Sequence, residues 1–175
     1  MDHFIHLPEF NIIICQKCKY AVLPSHIDTH FATKPHKLDK KERQRIIEEV
    51  AEINELIENE ETLRRREFEF PAAASAPIAA LGRPEENGLQ CTVCQYICCT
   101  IRRMQLHQWE EHQWKSKQKR GRPKRSIEDN QVPWRTGVHC QRFFIQGHKS
   151  AYFEVQKTDA TPRANQQPGI ASRVD

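Results

Sequence analysis

Apolar residues fall in short, separated runs along this chain, and each run has its own period. Phe10-Asn-Ile-Ile-Ile14 is a β-rich stretch leading into Cys15. Asp39 followed by Glu42 forms the capping-box pattern that opens a helix. Ile46, Val50, Ile53 and Ile57 then recur at intervals of four, three and four, with Ile47 and Leu56 beside them. That period predicts one amphipathic helix within 39–67, running to about Arg66. Its stripe covers only about two heptads, so packing on the protein's own body is expected ahead of a coiled coil. Pro71 to Asn87 (PAAASAPIAALGRPEEN) holds three prolines and many small residues, and 68–88 reads as a flexible linker. Val138 to Ile145 and Ala151 to Gln156, separated by Gln146-Gly-His-Lys-Ser150, predict a β-hairpin within 134–156. A lone hairpin is marginal in water, so this one needs a surface to lean on. The polar segment 157–175 is expected to be a disordered tail.

The chain repeats one motif. Cys15-Gln-Lys-Cys18-Lys-Tyr20 returns as Cys91-Thr-Val-Cys94-Gln-Tyr96, and an apolar residue stands three places before a histidine in each copy, Ile27 before His30 and Met104 before His107. In the second copy, Cys91, Cys94, His107 and His112 follow the spacing of a Cys2His2 finger. Two cysteines on a tight turn, a return strand and two histidines near the end of one helix bring thiolates and imidazoles to one point. Such a mixed sulfur and nitrogen shell suits tetrahedral Zn2+. Inside this unit Cys98 stands where a phenylalanine usually fills the small core, and Met104 where a leucine does. Cys98 and Cys99 are alternative ligands, although a small buried hydrophobe is the expected role of Cys98. The first copy is less regular, with Cys15 and Cys18 followed by His26, His30 and His36 as candidates. The Ile27 register and the short distance from Cys18 to His26 favour His30 and His36, with His26 still open. The fold class expected is therefore small α+β: two separate zinc-stapled ββα-like modules over 10–37 and 89–114, joined by the helix and the linker, with the hairpin after them.

Bulk properties fit small stapled units. Hydrophobic residues are 38% and charged residues 29% of 175, with ten prolines, so a single large core is not expected. Seven cysteines and nine histidines supply ligands. Asp2 and Glu9 interrupt any secretion signal at the start, and no apolar run approaches a membrane span. An intracellular setting is expected, where cysteine pairs bind metal more often than they form disulfides. Net charge is +4 and uneven: residues 39–67 hold ten acids against seven bases, whereas Lys115 to Arg125 holds seven bases and no acid.

Several of these segments together resemble one family. They are Cys15-Gln-Lys-Cys18-Lys-Tyr20-Ala-Val22, "RQRIIEEVAEI", "GLQCTVCQYICCTIRRMQLH", "RGRPKR" and "VHCQRFFIQGHKSAYFEV". They look like the fungal proteins related to the orsellinic-acid cluster protein OrsD, over most of 10–156. The resemblance implies two zinc fingers with metal at the eight residues named, no established reaction, and a chain shorter than many of its relatives.

Nucleic acid is the partner expected from charge. Arg120-Gly-Arg-Pro123, flanked by Lys119, Lys124 and Arg125, resembles an AT-hook core within a basic segment spanning 115–126. Arginines on an extended backbone suit a narrow A·T minor groove. A nuclear address or a solvated linker is the plainer reading of the same run. In a base-reading finger, the second helix would present Thr100, Arg103 and Leu106. Arg103 reaches guanine in that scheme, but Leu106 reads no base well. Catalysis is not expected. Cys140 near His139 and His148 has no recognisable oxyanion hole, and both metal sets leave no open coordination position. Two roles follow: a nuclear protein contacting DNA with low specificity, or a module docking a protein through the 46–57 helix face. Neither involves a membrane or a small-molecule substrate.

Overall fold

The computed structural model describes residues 2–115, 132–147 and 149–157. The first sheet is an antiparallel meander of β1 (Phe4–Leu7), β2 (Ile12–Cys15) and β3 (Ala21–Val22). β2 is buried along its whole length. Because side chains alternate across a strand, Ile12 and Ile14 enter one core while Ile13 and Cys15 enter another. A central strand covered on both faces is what an unbroken Ile-Ile-Ile run provides. After a 3-10 turn at Pro24–His26 come α1 (Ile27–Ala32) and α2 (Lys40–Ala51). Asp39 caps α2 by accepting the Glu42 N–H at 2.8 Å, and Arg43 ties α2 to α1 through Asp28 at 2.8 Å.

The single helix expected to reach Arg66 is two helices. α2 stops at Ala51, Glu55 takes a left-handed φ of 67°, and α3 (Glu60–Arg65) starts afresh under an Asn59 cap. Burial explains the break. Ile46 and Val50 belong to the core against α1, whereas Ile57 lies in the other core with Leu63. A continuous helix would keep all three on one stripe and serve one core only. Ile46, Val50 and Ile57 of this face are buried within the protein itself, and Ile47, Ile53 and Leu56 are partly buried beside them.

The second sheet has the order β5-β4-β6-β7, with β4 (Glu85–Cys91), β5 (Ile97–Cys98), β6 (Trp134–Gln141) and β7 (Phe153–Glu154) all paired antiparallel. Between β5 and β6 lies α4 (Ile101–His112), capped by Thr100. The expected hairpin is therefore the edge of a larger sheet, supported by β4. Its first strand also stops earlier than expected, because Phe143 and Phe144 turn into the core.

The segment expected to be a flexible linker is tied down. Ala79–Leu81 form a 3-10 turn, and Ala80 and Leu81 are buried. The buried Gln141 side chain accepts from the Ile78 N–H at 2.8 Å and donates to the carbonyls of Ile78 and Gly82 at 3.1 and 2.7 Å. Ser75 bridges to Val155, and its carbonyl accepts the Gln156 N–H at 2.8 Å. Nor do the two halves keep separate cores. Ile12, Ile14, Ala21 and Leu23 of the first half share one cluster with Ala80, Leu81, Phe143, Phe144, Phe153 and Val155. Composition suggested a linker because its prolines and small residues are those of linkers. Its few apolar side chains suffice to seal a core edge. Among the described residues, no helix is long and apolar enough to cross a membrane.

Candidate metal centres

Both Cys-x2-Cys segments fold into the same knuckle. The Cys15 N–H donates to the Tyr20 carbonyl at 3.0 Å, and the Cys91 N–H to the Tyr96 carbonyl at 2.8 Å. The residue after each second cysteine is left-handed, Lys19 at φ 60° and Gln95 at φ 64°. A short strand and a helix follow in both copies, β3 and α1, then β5 and α4.

Eight side chains meet in two groups of four. Cys15, Cys18, His30 and His36 form one, and Cys91, Cys94, His107 and His112 the other, with all candidate ligand atoms of a group within 4.8 Å of one another. In the first, His36 Nε2 lies 3.4 Å from Cys15 Sγ and 3.2 Å from Cys18 Sγ. In the second, His112 Nε2 is 3.3 Å from Cys91 Sγ and His107 Nε2 is 3.2 Å from Cys94 Sγ. An ion holding sulfur at about 2.3 Å and nitrogen at about 2.0–2.1 Å tetrahedrally sets these edges at about 3.6 Å. These four contacts therefore lie within a few tenths of an ångström of the edges of a zinc shell.

One atom reports on the fit directly. His30 Nε2 is buried with no hydrogen-bond partner, an arrangement that costs free energy unless a cation takes the lone pair. Its other nitrogen, Nδ1, faces the Tyr20 hydroxyl at 3.4 Å. Burial pushes the His30 ring down to about 4, with His36 acting the same way, so the ring is neutral near pH 7 as a metal ligand must be. The same burial raises the Tyr20 phenol to about 12, which keeps its proton in place. His26 is exposed on the rim of a cleft of about 480 Å3 and stands outside the group.

The second centre is supported differently. Tyr96 stacks on His107 with ring centres 4.2 Å apart, and its hydroxyl accepts from Arg103 Nε at 3.2 Å. Gln108, fully buried between the two histidines on α4, donates from Nε2 to Cys91 Sγ and to the Pro133 carbonyl, both at 3.1 Å. Burial alone would raise the Cys91 thiol. N–H groups of Cys94, Val93 and Gln108 outweigh that, and the thiol is lowered toward the thiolate a metal requires. Cys98 is buried, directs its thiol to the Thr100 carbonyl at 3.5 Å, and joins neither group. With no phenylalanine in this core, Trp134 of β6 packs with Leu89, Cys98 and Met104. Gln108 and Trp134 escaped sequence reasoning, because neither belongs to the ligand spacing.

The family described as "Orsellinic acid/F9775 biosynthesis cluster protein D" (OrsD) matches residues 2–113, which include both groups. The chain belongs to the OrsD family. No curated protein matches it, and no solved structure does. Within this OrsD-family chain, β6 and β7 lie beyond the matched residues, yet Pro133 and Trp134 complete the surroundings of the second group. Of the other expected site residues, Arg103 is exposed on α4, while Lys119, Arg120, Arg122, Lys124 and Arg125 lie outside the described residues. Neighbours on a strand face opposite ways, so His139 and Cys140 on β6 do not form a pair; His148 lies outside the described residues.

Proposed function

We propose that this chain is a zinc-binding, Cys2His2-type finger protein in which two Zn2+ ions are structural, with no catalytic role. The observation that carries the reading is the pairing of two convergent Cys2His2 sets with an orphaned buried His30 Nε2. Four protein ligands per ion leave no position for substrate, which supports a structural rather than a hydrolytic metal. In this reading Cys15, Cys18, His30 and His36 hold one ion, and Cys91, Cys94, His107 and His112 the other. Metal analysis of the dialysed protein is expected to give about two zinc equivalents. Cys15→Ala and Cys91→Ala should each remove one. A full complement in both variants would defeat the ligand assignment.

The role proposed for the stapled body is low-specificity DNA contact in the nucleus, supported by the seven bases of 115–125 following α4. A second reading, docking of a protein, is favoured by Ile101, Leu106 and Trp109, which stand exposed on α4.

A further inference from the structure

Four of the seven free cysteines belong to the two metal groups, which leaves Cys98, Cys99 and Cys140. Cys98 is engaged with the Thr100 carbonyl. Cys99 and Cys140 meet each other, Sγ to Sγ, at 3.8 Å. We propose that Cys99 and Cys140 are a redox-active thiol pair that closes to an intramolecular disulfide when the protein meets a peroxide.

The contact is built by the fold. Cys140 lies on β6 and Cys99 just past the end of β5, with β4 running between these two strands. Two strands separated by a third seldom bring short side chains together. Here the intervening residue is Gly88. A Cβ on Gly88 would stand 2.5 Å from the Val138 carbonyl oxygen and 3.0 Å from Cys140 Sγ. The bare backbone leaves the space in which the two thiols touch, inside a small cluster with Ile97, Val138 and Tyr152.

Exposure assigns the two roles. Cys140 is 0% exposed, whereas Cys99 is partly exposed and lies in a bend outside the ladder. Tyr152 packs against the same cluster as Cys99, and the Arg142 guanidinium sits 5.0 Å from the Tyr152 ring centre. Peroxide therefore meets Cys99 first. The Cys99 sulfur attacks one peroxide oxygen, the O–O bond breaks, and a sulfenic acid and one water form. Cys140 sulfur then attacks Cys99 sulfur, its proton leaves with the displaced hydroxyl as a second water, and the S–S bond closes. Two thiols lose two electrons and hydrogen peroxide accepts them. Closure shortens the sulfur separation to about 2.05 Å, a movement of about 1.8 Å. With β4 between them the backbones stand farther apart than the roughly 4.4–6.8 Å Cα spacing of a relaxed disulfide, so the bend that carries Cys99 has to move toward β6 as the bond closes.

The inference stands apart from the zinc reading, since Cys99, an alternative ligand on sequence alone, and Cys140 both lie outside the two groups of four. The test uses the full chain with its metal as purified. It is treated with about one equivalent of hydrogen peroxide, quenched with an alkylating reagent and mapped by mass spectrometry without reduction. A cross-link between Cys99 and Cys140 is expected in the wild type and in Cys98→Ser, and its loss in Cys99→Ser and Cys140→Ala. Metal content should stay constant while the link forms. Should Cys140→Ala fail to fold, the partly exposed Cys99→Ser carries the comparison alone. The proposal is overturned if no Cys99–Cys140 link forms, whether Cys99 stays reduced or goes on to sulfinic acid, or if Cys140 links to a different cysteine such as Cys98. Oxidation of Cys15, Cys18, Cys91 or Cys94 ahead of the pair would overturn it as well.

Discussion

Tyr20 and Tyr96 occupy equivalent places two residues after the second cysteine of their knuckles, yet they hold their histidines by different means. The Tyr20 hydroxyl meets Nδ1 of His30, while the Tyr96 ring lies flat on His107 and its hydroxyl accepts from Arg103 Nε. A histidine that binds metal through Nε2 carries its proton on Nδ1, and a partner there fixes tautomer and ring orientation. Removing the oxygen alone should therefore separate the two sites. Tyr20→Phe is expected to weaken Co2+ or Zn2+ binding at the first centre by about tenfold, the low end of such outer-shell effects. Tyr96→Phe keeps the stacked ring and should leave the second centre within about twofold. Chelator competition on the full chain measures both, and equal losses would show that the hydroxyl of Tyr20 has no special part. At this scale the two convergent groups of four were legible in the sequence, because spacing encodes convergence. The supporting residues were not. Gln108 is an unremarkable polar residue until the fold buries it beside Cys91.

Elements were legible where one local rule decides them. The Asp39 cap and the strand entering Cys15 were readable, since each depends on a few adjacent residues. The break between α2 and α3 was not, because it depends on Ile57 belonging to a different core from Ile46 and Val50. The segment before β4 failed for the same reason. Its order comes from Gln141, about sixty residues away in sequence. Gln141→Ala would strand one N–H and two carbonyls that its side chain now satisfies. Unsatisfied buried groups cost about 1–3 kcal/mol each, and partial access of water reduces the sum. A loss of about 2–4 kcal/mol in urea unfolding is expected, together with faster proteolysis between Pro71 and Pro84. A neutral outcome in both measurements would mean that this segment is held by its buried apolar residues alone.

For the whole molecule, the shared core bears on how nucleic acid would be met. Fingers that track a DNA groove sit in tandem at about 3 bp each, on short connections that let each helix enter in turn. Here β3 shares one core with β7 and with Phe143 and Phe144 just past β6, and the Ala21 N–H donates to the Phe143 carbonyl, so the two modules are not free to be spaced along a duplex independently. Arg103 is already engaged by Tyr96, and Leu106 and Trp109 dominate the outward side of α4. Whatever DNA attraction the chain has should therefore come from the seven bases of 115–125. Neutralising Arg120 and Arg122 together should weaken binding and lower the log–log salt slope by about 1.8, since each lost phosphate contact removes about 0.9. Arg103→Ala should change the slope by less than one contact's worth. An arginine pair seated in a minor groove also predicts preference for A·T-rich over G·C-rich duplexes, because the narrower groove carries the more negative potential. Loss of that preference with Arg120 and Arg122 would assign the contact to them as a groove reader. Equal affinity for every duplex, with the slope still falling, would leave a plain polyelectrolyte contact. No measurable binding at about 50 mM salt, where non-specific attraction is strongest, would pass the function to a protein partner on the exposed face of α4.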